Sequence, residues 1–476
     1  MIEKLNMTML TDFYEITMAN GYFKTGMAND TAYFDMFFRD IPDGGGFAIM
    51  AGVEQVAEYM QNLEFTDDDI EYLRKKDMFD SRFLEYLRNF RFVCDVWTVP
   101  EGTPIFPGEP IITVRGPVIQ AQFVETMVLL LVNHQTLIAT KANRIVRAAK
   151  GRGIMEFGTR RAHGVSAAVY GARAAYIGGC MGTACTVSDR DYGIDALGTM
   201  AHSWVQMYPD EDTAFRKYAE IYPDNCVLLV DTYNVLKSGV PAAIRVFRDM
   251  KPEKMGIRID SGDVSYLTKQ ARKMLDDAGL QECTIVVSNS LDEYIIEDVI
   301  QQGACIDSFG VGERLITASS SPVFGGVYKL SALEKDGDMI PKMKISENIG
   351  KITNPGFKTL YRFYDKDSNQ CKADLIALDE EPAPSGDEFE IFDPIAPWKR
   401  KTLRNFYVKN IRVQLFDKGK LVYKLPAVDE IRSYCARQVG DLWDEMLRFE
   451  NPQTYYVDLS QRLYELKQEI IREHNR

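Results

Sequence analysis

Between Val227 and Gly312 short apolar runs alternate with longer segments whose apolar positions recur at three- and four-residue steps. The first pattern predicts buried strands and the second amphipathic helices. Val227–Val230 reads as a strand ending in Asp231, Gly256–Ile259 as a strand ending at Asp260, and Thr284–Val287 as a strand ending at Ser288 and Asn289. Ile306–Phe309 reads as a strand ending in Gly310, Val311 and Gly312. Helices are predicted over Pro241–Met250, Val264–Ala278 and Leu291–Gln302, the last two closed by Gly279 and Gly303 as C-terminal stops. Successive strand–helix units imply a parallel sheet, in an open sheet or a (β/α) barrel, with the ligand site at the carboxyl ends of the strands. Asp231, Asp260, Ser288, Asn289, Gly310 and Gly312 all fall there.

The flanks follow other rhythms. Thr31–Phe38 predicts an aromatic-rich strand, Val53–Leu63 and Asp67–Lys75 predict helices, and Glu101–Pro117 predicts short strands punctuated by Gly and Pro. Gln120–Lys150 returns to helical periodicity. Beyond Leu330 the regularity fades until Val428–Arg448 and Leu459–Glu473, two amphipathic helices. An exposed acidic loop is expected at Glu380–Asp387.

Composition narrows the function classes. The 476 residues carry 56 basic and 69 acidic side chains, a net charge of −13 that argues against a general nucleic-acid or membrane-surface binder. No membrane span is expected, because the longest strongly apolar run is Met127–Val132. The start MIEKLNMTML carries Glu3 and Lys4 and does not read as a signal peptide. Eight scattered cysteines without CxxC spacing fit reduced thiols in a cytoplasmic protein. The four histidines show no HxH or HxxxH spacing, so no zinc site is expected.

Several stretches could carry chemistry. Arg258-Ile-Asp-Ser-Gly-Asp263 sits on a strand-to-helix turn whose backbone N–H groups could meet a phosphate. Asp260 and Asp263 there could hold ribose hydroxyls or Mg²⁺, or Asp263 could simply cap the helix. Phe309-Gly-Val-Gly312 could cradle a phosphate. In Glu156-Phe-Gly-Thr-Arg-Arg161, Arg160 or Arg161 could clamp a phosphate and Phe157 could stack on a planar ring. In Gly198-Thr-Met-Ala-His-Ser203, His202 lies among small residues and is competent as a nucleophile that carries a phosphoryl group. A structural, hydrogen-bonded His202 is the alternative.

These stretches occur with others in a fixed order: TDFYEITMANGY (11–22), EFGTRR (156–161), GTMAHS (198–203), LVDTYNVLKSGV (229–240), RIDSGD (258–263), VVSNSLDE (286–293), FGVGERLIT (309–317), GGVYKL (325–330), KISENIGKITNPG (344–356) and NPQTYYVDLS (451–460). The set resembles the nicotinate phosphoribosyltransferases, from about residue 8 to residue 472. The resemblance implies an α/β fold: an N-terminal α/β domain (1–125), an incomplete (β/α) barrel (126–330) and an α-rich C-terminal extension (331–476). It implies a homodimer with shared active sites. It implies synthesis of nicotinate mononucleotide and diphosphate from nicotinate and 5-phosphoribosyl 1-diphosphate, with Mg²⁺ and with ATP as co-substrate. Nicotinamide or quinolinate is the alternative base.

By the same resemblance His202 is the phosphorylated histidine, and Thr199 and Arg258 bind nicotinate. Tyr14, from the other subunit, stacks on the pyridine ring, with Phe157 on the opposite face. Arg160, Asp260 and the loop from Gly310 to Gly312 hold the phosphoribosyl part. Asp231 joins the substrate site, and Asp263 is the candidate Mg²⁺ ligand. One position departs from the family pattern, which has a small hydroxylic residue after Gly312. Here it is Glu313, expected to point away from the phosphate or to pair with Arg314. A Schiff-base aldolase barrel would need a lysine at a strand end, and none of the predicted strand ends has one.

Overall fold

The computed structural model describes residues 7–347 and 351–474, which divide into two compact units. One comprises residues 138–322; the other combines 1–137 with 323–476. The second unit is discontinuous in sequence, and strand pairing explains why. Gly326–Lys335 lies antiparallel to Thr31–Phe38, and Val413–Asp417 lies antiparallel to Asp95–Thr98. Residues far along the chain thereby complete the sheet that the N-terminal strands begin.

The unit 138–322 is built on six parallel strands: β1 (Gly153–Glu156), β2 (Gly182–Thr183), β3 (Cys226–Leu229), β4 (Met255–Ile259), β5 (Thr284–Ser288) and β6 (Ser308–Val311). Their order is β2-β1-β6-β5-β4-β3, the sheet of an incomplete barrel. One face is a helix-packed core in which Ile257, Ile259, Ile285, Val287, Phe309 and Val311 are all inaccessible to solvent. Because side chains alternate along a strand, Arg258, Asp260, Ser288 and Gly310 fall on the opposite face. The predicted strands β3, β4 and β5 are present within a residue or so at each end. The fourth lies two residues later than the apolar run Ile306–Phe309 suggests, so Gly310 belongs to β6 and only Gly312 follows it. Strands β1 and β2 carry too short a pattern to be predicted. Helices Val264–Asp277 and Glu293–Gln301 stand where the periodicity puts them.

The other unit contains a seven-stranded antiparallel sheet centred on Thr31–Phe38 and Ile112–Pro117. It also contains a four-stranded sheet formed by Phe406–Asn410, Lys358–Asp365, Cys371–Leu378 and Val457–Leu459. The strands between Lys358 and Leu421 lie where sequence periodicity fades. Helix Gln461–His474 forms close to the predicted span, whereas the helix expected over Val428–Arg448 ends at Gly440 and is followed by a separate short 3-10 turn at Asp444–Leu447. The helical stretch Val118–Ala148 is long and apolar enough to cross a membrane by length and composition alone, and 72 % of its most apolar window is buried within the protein. All eight cysteines carry free thiols, and only Cys305 among them is not fully buried.

Helix Phe13–Lys24 buries one carboxylic acid, Glu15, which accepts hydrogen bonds from Thr126 Oγ1 at 2.6 Å, from the Thr126 N–H at 3.2 Å and from the Thr11 hydroxyl. Burial, reinforced by Glu125 and partly offset by these bonds, raises its pKa to about 7. The folded state therefore favours the neutral acid. The stability this gives is complete below the ordinary value near 4.5 and is lost as pH rises through about 7. Glu15→Gln keeps a carbonyl acceptor and cannot ionise. It should stabilise the protein by about 1–3 kcal/mol at pH 8 and by much less at pH 5. Urea unfolding of both proteins at the two pH values measures this, and an equal difference at both would contradict it.

Candidate active site

Strand β3 ends just before Asp231, and β4 carries Arg258 and leads into Asp260. A backbone bond from the Val230 N–H to the Arg258 carbonyl keeps the two strand ends level. Asp231 Oδ2 then accepts from the Asp260 N–H (2.9 Å) and the Ser261 hydroxyl (2.7 Å), which fixes the turn after β4. Gly262, with φ of +85°, lets the chain reverse into the next helix. Asp263 caps that helix, its Oδ1 accepting the Tyr266 N–H at 2.9 Å. Of the two readings of Asp263, the cap is the one observed.

His202 opens a short helix and is partly exposed. Its Nδ1 lies 3.1 Å from Thr232 Oγ1. Its Nε2 lies 4.0 Å from Asp231 Oδ1 and 3.9 Å from Asp260 Oδ2. The Asp231 side chain is almost wholly buried, and its Oδ1 receives no hydrogen bond. The other Asp260 oxygen accepts from the Ser288 hydroxyl at the end of β5. Two carboxylate oxygens thus lie within 4.0 Å of one imidazole nitrogen.

Arg258 Nη1 donates to Thr199 Oγ1 at 2.6 Å, so the two residues expected to share a substrate do meet. Arg258 Nε is buried with no acceptor. Desolvation lowers the Arg258 pKa against the opposing pull of Asp260 and Asp231, and Arg160 is close enough to lower it further. A guanidinium stays charged under such shifts. One edge of Arg258 is therefore committed to Thr199, while the orphaned Nε–H waits for an acceptor.

Phe157 lies against β6. A side chain on Gly310 would put its Cβ 2.4 Å from the Phe157 ring, so glycine is what admits the ring there. Gly312 follows the strand and caps the four-residue helix Glu313–Ile316. Glu313 does not pair with Arg314, which instead binds Asp292. Glu313 Oε2 sits 4.0 Å from Arg161 Nε, both side chains being exposed. Tyr14 lies in the other compact unit, 45 % exposed on helix Phe13–Lys24. Thr232 was not among the sequence-derived site residues. Its only signal there is a hydroxyl directly after Asp231.

The oxygen donors fit a hard divalent cation. Asp231 Oδ1 lacks a donor, and it and Asp260 Oδ2 lie 4.0 and 3.9 Å from the same His202 nitrogen. Two carboxylates suit Mg²⁺, which keeps several waters and takes the rest of its ligands from a phosphorylated substrate. Among the described residues no group of three or more His, Cys, Asp or Glu side chains is gathered for a metal held by protein alone.

Three family models tile the chain. The nicotinate phosphoribosyltransferase N-terminal domain matches residues 9–133, the nicotinate phosphoribosyltransferase family residues 153–365, and the C-terminal domain residues 357–467. The chain is 43 % identical to nicotinate phosphoribosyltransferase of Bacillus subtilis (strain 168), over 98 % of this chain and 97 % of that protein. It is 31 % identical to the Homo sapiens protein of that name, over 96 % and 95 %. A crystal structure of human nicotinic acid phosphoribosyltransferase superposes with a TM-score of 0.85 at 29 % identity, covering 97 % of this chain and all of that one. With three family models in register and near-complete coverage at this identity, the chain belongs to the nicotinate phosphoribosyltransferase family.

Proposed function

We propose that this enzyme makes nicotinate mononucleotide from nicotinate and 5-phosphoribosyl 1-diphosphate, and that it couples the reaction to ATP hydrolysis through a phosphohistidine at His202. The observation that carries the reading is the pairing of Arg258 with Thr199 beside the cluster of His202, Asp231 and Asp260. The unpartnered Arg258 Nε–H suits a ring carboxylate in a charge-assisted bond. Phe157 would offer a planar wall to the pyridine ring. The C1–O bond of the ribosyl group breaks with its electron pair leaving on the diphosphate, and the pyridine nitrogen supplies the pair for the new C1–N bond. Positive charge develops on the ribosyl carbon, which the Asp260 carboxylate would stabilise. Mg²⁺, held by Asp231 and Asp260, would neutralise the departing diphosphate. Arg160 and the backbone at Gly312 would hold the ribosyl phosphate.

In the coupled half-reaction His202 Nε2 attacks the γ-phosphorus of ATP and ADP leaves; water later cleaves the N–P bond to release phosphate. Nδ1–H donating to Thr232 Oγ1 would leave the Nε2 lone pair free for attack. Cytoplasmic location accords with the free thiols. Comparing nicotinate, nicotinamide and quinolinate as substrates, with ADP followed alongside the nucleotide, tests base and coupling together. Equal or better turnover of another base overturns the assignment to nicotinate.

The proposed homodimer places Tyr14 of one subunit in the site of the other. Mixing Tyr14→Ala with Arg258→Ala subunits should then restore activity, since one site of each mixed dimer escapes both changes. Up to about half of the wild-type rate per mixed dimer is expected. Purified mixed dimers as inactive as both parents would rule out the shared site.

A further inference from the structure

The unit combining residues 1–137 and 323–476 holds a cavity of about 1120 Å³. The loop at Gly44–Gly46, the strand pair Glu388–Phe392 and Arg400–Arg404, and the segment 449–458 enclose it. None of these residues enters the chemistry derived above.

One wall carries Asp458, on the strand Val457–Leu459 that pairs with Cys371–Leu378. The residue is only 4 % exposed. Among the described residues no group donates a hydrogen bond to its carboxylate and no cation lies within 4 Å. Burial and the nearby Asp393 raise its pKa to about 7. Asp393 is already occupied: its Oδ1 accepts the N–H groups of Ile395 (2.8 Å) and Ala396 (3.1 Å). A buried carboxylate without donors is costly, and native structures rarely keep one without a purpose.

Two lysines that line the same cavity show the converse imbalance. Lys401 Nζ lies 4.2 Å above the Tyr456 ring and 5.6 Å above that of Trp443, and neither Lys399 nor Lys401 has a carboxylate within 4 Å. Tyr456 and Phe392 also line the cavity. An acceptor without donors, two aromatic rings and two lysines without an ion-pair partner therefore line one cavity, together with Asp43, Asp393 and Glu450. Its volume lies slightly above the ~300–1,000 Å³ typical of small-molecule sites.

We propose that this cavity is a second ligand site, for a nucleoside phosphate whose ribose hydroxyls donate to Asp458, whose base lies against Tyr456 and Phe392, and whose phosphates meet Lys399 and Lys401. A vicinal diol matches the two acceptor oxygens of a carboxylate, and the lysines act as point charges for phosphate.

Calorimetric titration of the full-length enzyme with ADP tests the assignment. Asp458→Asn and, separately, the exposed Lys401→Gln should each weaken one class of ADP sites at least ten-fold. Phosphorylation of His202 by ATP should be the same in both variants as in the wild type, which separates this site from the proposed coupling. Under the proposal 2′,3′-dideoxy-ADP loses the same class of sites in the wild-type enzyme. ADP titrations unchanged in both variants, or dideoxy-ADP binding as tightly as ADP, would overturn it.

Discussion

His202→Ala should hydrolyse no ATP above background and should take up no phosphate from γ-labelled ATP. The imidazole sits with Nδ1 against Thr232 and Nε2 open towards Asp231 and Asp260, so a γ-phosphate brought to Nε2 arrives where a cation between the carboxylates could receive it. Alanine removes the imidazole proposed to take the phosphoryl group from ATP and return it to water. The coupled hydrolysis should fall by on the order of 10³-fold or more, as when a catalytic nucleophile is deleted. Nucleotide synthesis should persist slowly without ATP, because Arg258, Asp260 and Phe157 remain in place. Mass spectrometry at mildly alkaline pH, which preserves phosphohistidine, locates the label. Label on another residue, or uptake undiminished in His202→Ala, rejects His202 as the phosphoryl carrier.

The strand ends of the parallel sheet were readable because both of their determinants are local. An apolar run of four residues followed by Asp231, Asp260 or Ser288 announces a buried strand that stops at a polar edge. The sheet then aligns those edges, which brings Asp231 within 2.9 Å of the Asp260 N–H. Where partners are distant in sequence the pattern is silent. Nothing near Glu313 reveals that Arg161 lies beside it while Arg314 turns to Asp292. Thr232 acquires meaning only once the short helix at His202 is set against the end of β3. The two-residue shift of β6 has the same origin. Ile306 is apolar, yet pairing with β1 and β5 begins at Ser308, and Gly310 stays in the strand because Phe157 fills the place of its side chain. In the strands Lys358–Asp365 and Cys371–Leu378 the inner and outer faces are both largely buried, which erases the alternation that marks a half-exposed strand.

Arg258→Gln should narrow the preference for nicotinate over nicotinamide. The guanidinium has one nitrogen on Thr199 and a buried Nε–H with no acceptor, so an anionic ring substituent would complete its hydrogen bonding. Asp231 and Asp260 offset part of its charge, yet desolvation leaves the group in want of an anion. A hydrogen bond to a charged partner contributes about 1.5–3 kcal/mol, more than a neutral one. Losing it should cost nicotinate about ten- to a hundred-fold in kcat/KM, since 1.36 kcal/mol is ten-fold. Glutamine keeps an N–H donor at about the position of Nε, but it is too short to replace Nη1 on Thr199 and carries no charge. Nicotinamide has no carboxylate to lose and should suffer less. If Arg258 instead grips the ribosyl phosphate, both bases should suffer equally and the defect should appear in the KM for 5-phosphoribosyl 1-diphosphate. Measuring kcat/KM for each base at saturating 5-phosphoribosyl 1-diphosphate separates the two roles, and an unchanged ratio would remove Arg258 from the nicotinate pocket.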